Sequence, residues 1–146
     1  MTDAGALPGA RVFAEIETQV QFYDLDPMEV VWHGNYAKYL ELARCALLDK
    51  IDYNYTQMKA SGYAWPVIDM HIRYLQPVAF GEKIKVRAEL VEWENRLKLE
   101  YLITNAATGL RVTKASTVQV AVEMSVRQMC LTSPPILFEK LGLPQP

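Results

Sequence analysis

Apolar positions along the chain change period twice, and each change marks an element. From Val12 to Tyr23, Phe13, Ile16, Val20 and Phe22 recur among polar residues in the uneven alternation of a strand. From Tyr36 to Ile51 the spacing lengthens: Leu40, Ala43 and Leu47 fall on one face, and only Lys38, Glu41 and Arg44 form a strongly polar stripe. That predicts a helix with Asn35 as its N-cap, buried on most sides because it is apolar around most of its circumference. Beyond the break at Ser61-Gly62 the short period returns in four runs, Ala64–Tyr74, Glu82–Glu92, Leu97–Asn105 and Leu110–Val122. Turn residues separate them: Gln76-Pro77 leading to Phe80-Gly81, then Glu94-Asn95, then Ala106-Ala107-Thr108-Gly109. Thr132-Ser133-Pro134-Pro135 ends the pattern, and Ile136–Leu141 predicts one short final helix before Gly142.

One strand, one long helix, then four strands joined by short turns predict an α+β domain, an antiparallel sheet of about five strands wrapped around a central helix. Residues 1–11, with Gly5, Pro8 and Gly9, read as a flexible lead-in, 12–131 as the domain and 132–146 as a tail. A chain of 146 residues that is 51% apolar can bury one real core without metals or disulfides. Its formal charge of −2 offers no argument for nucleic acid or an anionic membrane face. Met1–Ala10 lacks the pattern of a signal peptide and no apolar stretch has the length of a membrane span, so a cytoplasmic protein is expected. Cys45 and Cys130 lie far apart without metal-type spacing and read as free thiols of a reducing compartment. No third ligand accompanies His33 and His71 at a recognisable spacing, so neither a metal nor a cofactor is expected. A sheet on one helix leaves an exposed edge strand, which predicts at least a homodimer.

Candidate chemistry is concentrated between Tyr23 and Tyr36. Asp26-Pro27 turns the chain into a loop that reaches a helix start seven residues later, at His33 and Gly34. This places a carboxylate beside the backbone N–H groups of a helix N-terminus, where negative charge is favoured. Two readings follow from the residues alone. Asp26 caps a turn whose first helical residue is Pro27, or it acts on a carbonyl carbon while amides near His33 and Gly34 hold the resulting oxyanion.

The run from Asp26-Pro27 to Trp32, then Asn35-Tyr36 and Ala43-Arg44, resembles the signature of the 4-hydroxybenzoyl-CoA thioesterase family of hotdog-fold proteins, including acyl-CoA thioesterase relatives from the Tol–Pal operon. The resemblance spans roughly Val12 to Val126. It implies a hotdog fold and hydrolysis of an acyl thioester, on coenzyme A or acyl carrier protein, to free acid and thiol. Asp26 is then either a nucleophile forming a mixed anhydride or a general base for water, with an oxyanion donor on the backbone at His33 and Gly34. The His33 imidazole either orients Asp26 or a water, or only packs at the helix entrance. Family members pair two sheets edge to edge with active sites at the interface, which implies a homodimer or a homotetramer built from dimers.

The same resemblance implies a substrate pocket formed by Trp32, Asn35, Tyr36 and Tyr39, beside Leu40, with Val67 and Ile68 contributed by a partner protomer. For the carrier, relatives of the 4-hydroxybenzoyl type place a basic phosphate-binding cluster after a Glu-Trp pair. Here Glu92-Trp93-Glu94-Asn95-Arg96 keeps only Arg96, with Lys98 and Lys114 as substitutes, which brings acyl carrier protein into view as the thiol carrier. Glu29 stands where relatives have glycine; it faces solvent, narrows the cleft, or raises the Asp26 pKa by like charge. Asp24 reads as an acceptor bracing the loop and His71 as a strand histidine. Two other functions remain on the residues: a non-catalytic acyl-thioester-binding protein, motivated by Glu29 and the reduced basic cluster, and a hydroxyacyl-thioester dehydratase, for which neither histidine sits in the expected motif.

Overall fold

The computed structural model describes residues 12–145; the lead-in expected over 1–11 lies outside them. In chain order the elements are β1 (Phe13–Gln19), α1 (Tyr36–Lys50), α2 (Tyr55–Ser61), β2 (Tyr63–Ala64), β3 (Val67–Tyr74), β4 (Lys83–Glu92), β5 (Leu97–Asn105), β6 (Arg111–Gln119), β7 (Val122–Glu123), β8 (Gln128–Met129) and α3 (Pro135–Leu141). One-turn 3₁₀ helices cover Phe22–Asp24 and His33–Asn35. The main sheet has the order β1-β4-β5-β6-β3, every pair antiparallel, and a small sheet has the order β2-β7-β8. This is the five-stranded α+β arrangement expected from the periodicity.

The core follows from the strand period. Alternate residues Ile84, Val86, Ala88 and Leu90 of β4 and Leu97, Leu99, Tyr101 and Ile103 of β5 are buried, as a sheet with one covered face requires. Tyr36, Tyr39, Leu40, Ala43, Leu47 and Leu48 of α1 are buried with them in one cluster. Burial of α1 is one-sided, however, and Leu42 is half-exposed. The sheet of one protomer covers only one side of the helix, so the broad apolar circumference is not used up within the chain.

Three local features depart from the sequence reading. Helix α2 was not expected, although Asn54 and Gln57 form a reciprocal capping box and Gly62 ends the helix at φ 89°. The run Ala64–Tyr74 divides into β2 and β3, because Trp65 turns inward to donate its indole N–H to the Tyr53 hydroxyl at 3.1 Å. Asn35 does not cap α1 with its side chain; it donates its amide to the Asp24 carbonyl at 2.8 Å.

β3 is unlike the other sheet strands. It pairs with β6 alone, and seven of its eight residues are exposed, Val67, Ile68 and Met70 among them. Only Ile72 is partly buried against the core, and Tyr74 meets Tyr36 of α1 edge-on at 5.1 Å. By contrast Leu47 is fully buried at the helix–sheet contact, so Leu47→Ala is expected to destabilise the fold by about 2–5 kcal/mol, read as a lowered midpoint in urea unfolding with an unchanged slope.

Candidate active site

The segment carrying Asp26 is a tight hairpin. Trp32 N–H donates to the Asp24 carbonyl, Asp26 N–H to the Val30 carbonyl and Glu29 N–H to the Asp26 carbonyl, each at 2.9 Å. Val31 N–H donates to the Val78 carbonyl, also at 2.9 Å, which stitches the hairpin to the chain after β3. Three residues, Pro27, Met28 and Glu29, make the tip. Hairpin tips of this length commonly combine a type I turn with a left-handed residue, and Glu29 supplies it at φ 67°. That is the backbone region glycine enters most readily, so the constraint on this position is backbone sterics. The Glu29 side chain itself is exposed.

Asp26 is half-buried, and its Oδ1 accepts the Met28 N–H at 2.8 Å. The capping reading therefore holds for one oxygen, within a hairpin turn and not at a helix start at Pro27. None of the hydrogen bonds among the described residues engages Oδ2, the oxygen available to a carbonyl carbon or a water. Capping and catalysis are thus compatible in one carboxylate, since the cap also holds its orientation.

Asp24 braces the loop. Its buried carboxylate accepts the Gln21 N–H and the Tyr39 hydroxyl on Oδ2, both at 2.9 Å. Its carbonyl takes both the Trp32 N–H and the Asn35 amide. Burial first, then the Asp24 hydrogen bond, pushes the Tyr39 hydroxyl well above the ordinary tyrosine range. It stays a proton donor to this carboxylate at any physiological pH.

Across the hairpin, the chain enters α1 through the 3₁₀ turn His33–Asn35. None of the hydrogen bonds among the described residues takes up the N–H of His33 or of Gly34. These are the free donors at the positive end of the helix. A Cβ on Gly34 would sit 2.3–2.8 Å from the Trp32 ring, so a side chain there would displace that ring. The His33 ring lies 5.1 Å from that of Trp32 and 6.4 Å from that of Tyr74, and no hydrogen bond among the described residues joins it to Asp26.

Asp26, His33 and Tyr36 line one cleft of about 310 Å³ with Tyr74, Gln76 and Pro77. The Tyr36 hydroxyl is pushed up to about 12, by burial first and then by Tyr74 and Asp26, so it is neutral beside the carboxylate. Trp32, Asn35 and Tyr39 flank the cleft without lining it. Val67 and Ile68 lie at the far end of β3 from Tyr74, and Arg96 is spent on Glu92 in a two-point ion pair at 3.0 and 3.1 Å that also lowers the Glu92 pKa. Tyr74 was not recognised in the sequence; its place between Arg73 and Leu75 in a strand-like run offered no signal beyond strand propensity. A larger chamber, of about 750 Å³, opens elsewhere, between α1, α2 and β2, walled by Leu48, Met58, Tyr63, Trp65 and Val122 with Glu41 and Arg44 at α1. No group of three or more His, Cys, Asp or Glu side chains that could hold a metal occurs among the described residues.

Comparison with known proteins places the chain in a family. Residues 20–137 match the family described as the thioesterase-like superfamily. The Bacillus subtilis protein YneP, provisionally named an acyl-CoA thioesterase, is 30% identical over 108 residues, 73% of this chain and 78% of that protein. The Arabidopsis thaliana chloroplast protein ATL3, named an acyl-acyl carrier protein thioesterase, is 32% identical over 82 residues, 56% of this chain and 43% of that protein. The crystal structure of a DHNA-CoA thioesterase from Staphylococcus aureus superimposes with a TM-score of 0.78 at 25% identity, covering 89% of each chain. The chain belongs to the thioesterase-like superfamily, with the hotdog fold, and is an enzyme of thioester hydrolysis.

The backbone at Glu29 gives a direct check. Holding a non-glycine residue left-handed costs about 1–2 kcal/mol, and glycine returns roughly 0.5–1 kcal/mol of that through unfolded-state entropy. Glu29→Gly is therefore expected to stabilise the fold by about 0.5–1 kcal/mol, seen as a raised urea midpoint.

Proposed function

We propose that this protein hydrolyses acyl thioesters with Asp26 as the acting carboxylate and the N–H groups of His33 and Gly34 as the oxyanion site. The observation that carries this reading is the pairing of a half-buried carboxylate, oriented through Oδ1 and open at Oδ2, with two unbonded backbone donors seven and eight residues later. Asp26 either attacks the acyl carbon, expelling thiolate to leave a mixed anhydride that water cleaves, or takes a proton from a water that attacks it. In both courses the amides meet charge that develops only as the carbonyl opens. Coenzyme A and acyl carrier protein both fit as carriers. The engagement of Arg96 with Glu92 favours a carrier read by its own surface.

The assembly proposed is a homodimer joined at β3. Its open edge and its exposed Val67, Ile68 and Met70 are what a second β3 would cover. In a two-fold antiparallel pair, the start of one β3 lies beside the end of the other. The residues leading into β3, Ala64, Trp65 and Pro66, line the large chamber, whereas Tyr74 to Pro77 line the Asp26 cleft. Pairing therefore joins the chamber of one protomer to the cleft of its partner, giving the acyl chain an apolar home that the shallow cleft lacks.

Release of free thiol from a panel of acyl-CoA and acyl-carrier-protein substrates tests the reaction. Asp26→Asn is expected to lower kcat/KM by about two powers of ten or more while remaining folded; wild-type turnover in that variant removes Asp26 from the chemistry, and tight binding with no turnover in the native protein favours a binding function. The assembly has its own test. Ala64→Phe fills the chamber and is expected to abolish long-chain turnover, and a reassociated equal mixture of Ala64→Phe and Asp26→Asn is expected to recover about a quarter of it, because half the dimers are mixed and hold one intact composite site. Failure to recover any, or a monomeric native mass, overturns the shared site.

A further inference from the structure

The Tyr74 hydroxyl donates to the His33 carbonyl oxygen at 2.8 Å, across 41 residues of chain. That oxygen belongs to the same peptide unit as the Gly34 N–H. We propose that Tyr74 is a positioning residue of the oxyanion site: by holding the His33 carbonyl it fixes the plane of the His33–Gly34 peptide and so the direction of the Gly34 N–H. The inference rests on the hydrolytic reading above and adds a residue to it.

The physical basis is the planarity of the amide. In a trans peptide the C=O and N–H point in opposite directions and rotate as one body, and none of the described peptides is cis. Restraining the oxygen restrains the proton. The neighbouring peptide is restrained differently: the Trp32 carbonyl accepts the Asn35 N–H at 2.9 Å, so the His33 N–H is set by the backbone. The His33 carbonyl, at the base of the 3₁₀ turn, takes in addition a side-chain donor from a different element.

Tyr74 is placed for it on three sides. Its Cα is set by the β3–β6 register opposite Thr113. Its ring meets Tyr36 edge-on at 5.1 Å and His33 edge-on at 6.4 Å. A hydroxyl bonded to the carbonyl also polarises the amide, which strengthens its N–H as a donor by roughly 10–30%. Gly34 needs such a restraint more than another residue would, since it lacks the Cβ that limits backbone rotation elsewhere.

Tyr74→Phe keeps the ring and removes only the hydroxyl. Deleting an oxyanion donor outright costs about two to three powers of ten; here the donor remains and loses its alignment, so a fall in kcat of about tenfold with KM within about twofold is expected. In ¹⁵N-labelled protein the Gly34 amide resonance is expected to shift and its hydrogen exchange to quicken, while amides of β4 and β5 stay unmoved. Unchanged kcat in Tyr74→Phe overturns the proposal, as does a raised KM with kcat intact, which marks a packing role, or a Gly34 amide that does not move. Absence of thioester turnover in the native protein instead overturns the hydrolytic reading itself, and the Gly34 resonance still reports whether Tyr74 holds that peptide.

Discussion

A single buried residue, Asp24, ties the reactive loop to the frame. Its carboxylate receives the Gln21 N–H and the Tyr39 hydroxyl, and its carbonyl receives the Trp32 N–H and the Asn35 amide. A buried carboxylate is costly unless hydrogen-bonded; its two bonds, with the two to the Asp24 carbonyl, join three pieces of chain: the end of β1, the return arm of the hairpin and the first turns of α1. Asp26 sits two residues beyond this knot on one side, and His33 and Gly34 sit just past it on the other. Carboxylate and amides are thereby held relative to one another, as the proposed chemistry requires of a preorganised site.

Rings extend this brace towards the sheet edge. Tyr39 packs edge-on against Tyr36 at 5.9 Å, Tyr36 against Tyr74 at 5.1 Å, and Tyr74 meets His33. The loop is thus held from the helix through Asp24 and from β3 through Tyr74. Because β3 is also an edge strand with seven of its eight residues exposed, the side chain bonded to the His33 carbonyl belongs to the surface proposed for docking a second protomer. The cleft and the exposed sheet edge thus share a strand.

Glu29 shows how sequence departure and chemistry separate. Its left-handed backbone belongs to the hairpin tip, while its carboxylate points away into solvent. The departure is a backbone strain borne at the loop, and the Asp26 carboxylate keeps its cap on Met28 N–H. In the same way Arg96 remains in the position the family resemblance gives it, yet its guanidinium is committed to Glu92. Residue identity at a motif position does not state what the side chain is bonded to.

Local physics made much of this protein legible before folding was considered. β5 runs from Leu97 to Asn105 as its alternation predicted, and α1 and α3 each lie within one residue of their periodic stretches, because side-chain period is a property of neighbouring residues. The helix start at His33–Asn35 was legible in the same way, whereas Asp26 stood out through the Asp26-Pro27 pair and the family resemblance. The capping box that opens α2 at Asn54 was present and passed over, since its helix is a short one of seven residues. Only tertiary structure decided the rest: that Asn35 serves Asp24 instead of capping its helix, that Trp65 breaks a strand to reach Tyr53, that β3 is left bare, and that Tyr74 reaches His33. These depend on which distant segments become neighbours, and a hydrogen bond spanning 41 residues leaves no periodic trace in the order of the amino acids.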